Sequence, residues 1–148
     1  MIKTIIPLTS LFQTGSKMLY LTKRYWTDIG NKVDWSFQDY FRFIADLPYI
    51  ADPKNIEALQ RPLYSLSNEA YFRDCDDKSI LIACWCYGNY VPFRFIACSY
   101  ELKDSPHHAI IEVESDEGPM YVDATYPDTP YPRDRDFYNI KPLTKWEK

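Results

Sequence analysis

The sequence predicts an α+β fold in which helices come first and an antiparallel sheet follows, all within a single domain over residues 1–148. Three observations predict it. Two apolar stripes at helical spacing occupy the first third of the chain. A run with almost no polar residue, Ser79 to Tyr87, follows and stops at Gly88. Three strand-like runs come after it, the last two separated by turn residues.

In chain order, residues 1–14 read as extended. Met18, Leu21, Tyr25 and Ile29 then follow helical spacing, so a helix is expected from Ser16 to Ile29, with Gly30 stopping it. A second helix is expected after Asp34 as its cap. Its stripe is Phe37, Tyr40, Phe41, Ile44 and Leu47, and Pro48 ends it. Residues 51–72 contain Pro53 and Pro62 and have no clear period, so they read as mostly irregular, with Ile56 to Gln60 a short strand or a turn of helix. From Cys75 to Tyr87 the pattern is helical again, with Asp74 as N-cap and Asp77 as an acidic partner three residues on. Ile80 to Cys86 leave no polar face, and a helix apolar all round is buried on most sides. It is therefore expected to be the central helix, packed on the sheet. The strands are expected at Val91–Tyr100, His107–Glu114 and Met120–Tyr126. Ser115-Asp116-Glu117-Gly118 has turn composition, so the last two should form a hairpin. The tail, 128–148, is rich in Pro, Asp and Arg. It is expected to run extended over the surface, with Tyr131, Phe137, Ile140 and Trp146 as anchors.

Composition narrows the function classes. The chain is 46% hydrophobic and 26% charged, an ordinary balance for a folded domain, and 148 residues bury a core without staples. The net charge of -4 gives no electrostatic case for nucleic acid, since Lys and Arg are scattered apart from Lys23-Arg24. No run reaches membrane-spanning length, and Met1 to Pro7 is too short and broken for a signal peptide, which points to no membrane association. Cys84 and Cys98 sit in apolar runs and read as buried free thiols, and Cys84 and Cys86 lie too close in sequence on one helix to pair. A reducing, cytoplasmic setting follows. No CxxC pair exists for zinc, and Asp74, Asp76 and Asp77 read as helix caps before they read as a Ca²⁺ site, so no metal or cofactor is expected. Aromatics at 17% are high and should fill the core, with some rings lining a cleft.

The residues that carry chemistry are Cys75, His108 and Asp123. A helix N-terminus stabilises a thiolate, which is the nucleophilic form of cysteine. Side chains alternate along strands, so His108 shares a face with Ile110 and Glu112, and Asp123 shares one with Tyr121 and Thr125. If Glu114 pairs with Glu117, His108 lies directly opposite Asp123. If Ser115 pairs with Gly118, the two are diagonal neighbours. Either register puts them on one face. His107 has the wrong parity and follows Pro106, so it reads as a loop residue. Gln60 has the right type for an upstream oxyanion donor. A thiol, an imidazole and a carboxylate in that order fit acyl transfer: the cysteine attacks an amide carbonyl, the histidine moves the proton, and the carboxylate holds the imidazole tautomer. The first backbone N–H groups of the Cys75 helix would face the oxyanion.

The run Asp74-Cys75-Asp76-Asp77-Lys78-Ser79-Ile80-Leu81-Ile82-Ala83 resembles the nucleophile motif of the bacterial and phage transglutaminase-like superfamily, Gly-Asp-Cys-(Asp/Glu)-Asp at a helix start. Gly88-Asn89-Tyr90-Val91-Pro92-Phe93-Arg94 continues the likeness. His108-Ala109-Ile110-Ile111-Glu112-Val113 is similar to its His-Ala-Trp-Val-Glu-Val strand, and Tyr121-Val122-Asp123-Ala124-Thr125-Tyr126 to its Val-Asp-Pro-Thr strand. The likeness covers residues 73–127. Arg73 stands where the family has glycine, Ala124 where it has proline, and Ile110 where it has tryptophan. The resemblance implies a papain-like core, with Cys75 as nucleophile, His108 as base and Asp123 as orienting group. It implies a cysteine-dependent peptidase or amidase, or a protein cross-linking enzyme, acting on a protein or peptide substrate. Small stand-alone domains of this type resemble ones encoded by tailed phages. The alternative expectation is therefore a non-catalytic structural or binding module in a phage particle, with a virion-associated location.

Overall fold

The computed structural model describes residues 11–52, 58–70, 72–103, 105–126 and 128–147. Helices pack against a four-stranded antiparallel sheet. The order of elements is α1 (Leu11–Tyr25), a 3₁₀ segment (Trp26–Asp34), α2 (Phe37–Ala45), α3 (Pro62–Ser65), α4 (Cys75–Gly88), β1 (Phe93–Ser99), β2 (His108–Ser115), β3 (Gly118–Val122) and β4 (Tyr138–Pro142). Across the sheet the strands run β3-β2-β1-β4.

Alternation gives the sheet two apolar faces. Phe93, Phe95, Ala97, Ala109, Ile111, Val113 and Val122 point into the main core with the helices. Ile96, Cys98 and Ile110 point the other way and are covered by Phe137, with Tyr121 and Ile140 beside it. The sheet thus buries both sides, and these strands read as near-continuous apolar runs.

The central-helix expectation holds for α4. Every residue from Cys75 to Cys84 is buried, and Cys86 as well. The helix has no polar stripe because α1, the 3₁₀ segment, α2 and β2 enclose it. Tyr40 of α2 places its hydroxyl 2.6 Å from the Leu81 carbonyl, so the large buried phenol also satisfies its polar end. Gly15 of α1 meets Leu143 where an added Cβ would lie 2.7 Å from the Leu143 carbonyl oxygen, so only glycine lets α1 approach this closely.

Several expected boundaries move. The first helix begins at Leu11, inside the stretch read as extended, and turns into 3₁₀ at Trp26. Gly30 does not stop a helix. It kinks the 3₁₀ segment at φ 61°, a conformation glycine adopts freely. Ser36, not Asp34, caps α2, accepting from the Asp39 N–H at 3.1 Å. The short α3 starts with proline at its first helical position and lies within the stretch read as irregular. Of the expected short element at Ile56 to Gln60, residues 56 and 57 lie outside the described residues, as do residues 1–10, and Ala58 to Gln60 form neither a helix nor a run of strand. The strand expected to reach Tyr126 stops at Val122. The tail does more than cover the surface: Tyr138–Pro142 adds a fourth strand to β1, with a register irregularity between Ala97 and Ser99. Pro142 is tolerated there because β4 is an edge strand.

Candidate functional site

The site lies where β3 leaves the sheet. Residues of β2 alternate in hydrogen-bond direction, and Glu114 donates toward β1, to the Pro92 carbonyl at 3.0 Å. Odd-numbered residues therefore turn toward β3, which pairs from Ser115↔Gly118 to Ile111↔Val122 and then ends. Ala109 is the next such residue, and α4 takes the missing strand's place. Cys75 Sγ accepts from the Ala109 N–H at 3.4 Å, and Ser79 Oγ donates to the Ala109 carbonyl at 3.3 Å. The first turn of α4 thus lies beside β2, with Cys75 at the open edge of the sheet and its sulfur on the N–H of the residue that follows His108.

The start of α4 is fixed by a reciprocal cap. Asp74 accepts from the Asp76 and Asp77 N–H groups at 3.1 and 3.3 Å, while Asp77 Oδ2 accepts from the Asp74 N–H at 3.1 Å. Two of the backbone donors expected to face an oxyanion are consequently occupied by Asp74.

His108 leaves β2 on the face that carries Ile110, opposite Cys98 of β1. Its Nε2 lies 2.8 Å from Asp123 Oδ2, and both residues are buried, at 5% and 3% exposure. Of the two registers open in the sequence, the structure has Ser115 opposite Gly118, which makes His108 and Asp123 diagonal neighbours. Asp123 is held by two further bonds, and its neighbour Ala124 by a third contact. Its Oδ1 accepts from the Thr125 N–H at 2.9 Å, and its own N–H donates to the Pro130 carbonyl at 2.9 Å. Lys78 Nζ donates to the carbonyl of the adjacent Ala124 at 3.3 Å and to the Ala45 carbonyl at 3.0 Å. Since Asp123 engages Nε2, Nδ1 is the other nitrogen of the ring. Tyr100, Tyr126 and Phe137 surround the imidazole, with ring centroids 5.0, 5.4 and 6.4 Å away. His107 is exposed, with its Nδ1 at 3.1 Å from the Ser105 carbonyl, in keeping with a loop residue.

Electrostatics here run against a resting thiolate. Burial pushes the Cys75 thiol well above its ordinary value, and Asp76, Asp74 and Asp123 push it the same way, while the Ala109 N–H works in the opposite direction. The helix N-terminus was expected to favour the anion, but desolvation and three carboxylates outweigh it. Burial, then the Asp52 carboxylate, raises Asp74 to about 7, and Asp77 is raised by burial and by Asp74. Oxygens of Asp52, Asp74 and Asp76 lie within 4.8 Å of one another, so the cap carboxylate belongs to a cluster of three acids. Tyr49, half exposed beside this group, is raised to about 12 by burial and by Cys75 and Asp74.

The remaining cysteines are buried and free, as is Cys75. Cys98 Sγ donates to the His108 carbonyl at 3.7 Å. Gln60 is buried, and its amide nitrogen donates to the Phe72 carbonyl, three residues before Cys75. Two buried cations support the site. Arg73 is buried and donates to the carbonyls of Ser65, Pro48 and Ser67 at 2.7, 2.9 and 3.0 Å, which knits the loops preceding Cys75. Lys78 is the other, and its signal was available as the one cation on an otherwise apolar helix.

No family model matches the chain, and neither a characterised protein nor a solved structure does.

Proposed function

We propose that the protein transfers acyl groups from protein amides through Cys75, His108 and Asp123 on a papain-like, transglutaminase-like core. The observation that carries this reading is the buried His108–Asp123 pair, set where β3 departs and the cysteine-bearing helix takes its place beside β2. A buried imidazole bonded to a carboxylate at one nitrogen has its tautomer fixed, which prepares the other nitrogen to take a proton. Because Cys75 rests as a neutral thiol, His108 acts as a general base during attack. The sulfur bonds to the amide carbon, the thiol proton passes to the imidazole, and the Asp123 carboxylate stabilises the imidazolium. The Cys75 N–H, which the Asp74 cap does not use, is the donor for the oxyanion. Collapse breaks the carbon–nitrogen bond, the imidazolium protonates the leaving amine, and a thioester remains on Cys75. Water then gives a peptidase or amidase, and an amine gives cross-linking.

A second reading is a structural or binding module of a protein assembly, such as a phage particle, that uses the fold without turnover. The raised Cys75 thiol and its 8% exposure favour it. The separating experiment is a peptide-library cleavage and amine-incorporation screen on wild type and Cys75→Ala. Turnover lost in the variant supports the acyl-transfer reading. No turnover by wild type on either arm of the screen goes against it.

A further inference from the structure

Beyond Asp123, on the side of the triad remote from α4, a cavity of about 460 Å³ opens to solvent. That is within the size range of small-ligand pockets, roughly 300–1,000 Å³. Its walls are the rings of Tyr100, Tyr126 and Phe137. Tyr100 stands edge-on to Tyr126 with centroids 5.4 Å apart at 88°, and is tilted against Phe137 at 5.6 Å. The same rings enclose His108, so the cavity shares a wall with the reacting group.

The charged groups of the cavity are acidic, and Thr129 adds a neutral hydroxyl. Asp123, Asp128 and Asp136 line it, and no lysine or arginine does so among the described residues. Asp123 is already committed, with one oxygen on His108 and the other on the Thr125 N–H. Asp136 accepts from the Arg133 N–H through Oδ2. Asp128 forms no ion pair among the described residues, and neither does Asp136. Aromatic faces attract cations, and unpaired carboxylates at the rim add charge of the matching sign. An anion would be repelled, and a purely apolar group would gain nothing from the carboxylates.

We infer that this cavity is a specificity pocket for the cationic side chain of a protein substrate, a lysine ammonium or an arginine guanidinium. The word substrate rests on the acyl-transfer reading; the binding does not.

The test uses full-length Cys75→Ala protein, so that binding is read without turnover. N-acetyl-lysine methylamide, N-acetyl-arginine methylamide and N-acetyl-norleucine methylamide are titrated while the ring signals of Tyr100, Tyr126 and Phe137 are followed by NMR. A cationic probe should bind at least about fivefold more tightly than norleucine, the scale set by one solvent-exposed cation–π contact. Asp128→Asn/Asp136→Asn should abolish that preference with an unchanged melting temperature, since both residues are exposed. Equal binding of all three probes, no shift at the three rings, or an intact preference in the double variant overturns the inference. If the cationic preference holds but wild type shows no turnover, the pocket stands and the acyl-transfer reading falls. Turnover with no preference for lysine or arginine has the opposite meaning.

Discussion

The His108 ring and the Asp123 carboxylate meet at 2.8 Å on the stretch of β2 that β3 no longer covers. Both are buried, at 5% and 3% exposure, so the bond is formed in a setting of low dielectric where it holds the ring firmly. Asp123→Asn keeps an acceptor for the Thr125 N–H but turns an amide toward Nε2, which selects the wrong tautomer. Acyl transfer should drop by about two to four orders of magnitude, as carboxylate loss does in such triads. Asp116→Asn, in the exposed hairpin turn, should stay within about 0.5 kcal/mol of wild type and keep its rate. Turnover assays with thermal melts as a folding control check both. A wild-type rate in Asp123→Asn would remove the orienting role.

Lys78 reaches from inside the helix to the carbonyl of Ala124, the residue that follows Asp123. Lys78→Met keeps most of the buried stem and removes the two bonds to the Ala45 and Ala124 carbonyls. Stability should fall by about 1–3 kcal/mol, the cost of leaving buried acceptors without donors. The effect on the site is separable by its pH profile: with Asp123 less firmly held, the rate should decline and its dependence on pH should shift. A destabilised variant with an unchanged profile would make Lys78 a packing residue only.

The carboxylates around the α4 start set the sign of a pH effect on stability. Asp74 is raised from an ordinary value of 3.8 to about 7 in the folded protein, and Asp77 moves in the same direction. Between those values the folded chain holds more protons than the unfolded one, so stability is full at the acid end and declines as pH rises toward about 7. Asp74→Asn retains a good N-cap and removes the titrating group. Melting curves from pH 4 to 7 at constant ionic strength should show wild type losing several degrees and the variant a flatter profile. Equal slopes would mean that the cluster does not titrate as described.

The sequence displayed the features that depend on local pattern. The Asp74–Asp77 cap, the apolar helix from Cys75 and the hairpin turn after Ser115 all follow from short-range spacing. Parity placed His108 and Asp123 on one face but left the register open, because both pairings obey the alternation. What stayed hidden depends on distant partners. β4 is short, interrupted by Asn139 at φ 55°, and becomes a strand only because β1 offers an edge. Ser36 outcompetes Asp34 because the 3₁₀ segment runs on to Asp34. The thiol's direction of shift could not be read from motif order, since it depends on how deeply α4 is enclosed and on Asp123 arriving from another strand.

The most direct measurement is the rate of iodoacetamide alkylation at each cysteine, resolved by mass spectrometry, in wild type and His108→Gln. Burial raises all four thiols, so none should react quickly unless a base assists it. Cys75 should be alkylated ahead of Cys84, Cys86 and Cys98 near neutral pH. His108→Gln, which preserves much of the ring's volume, should slow it by about a hundredfold or more at an unchanged melting temperature, the scale of a lost general base. Cys75 reacting no faster than Cys98, or at the same rate with and without His108, would contradict the nucleophile–base assignment.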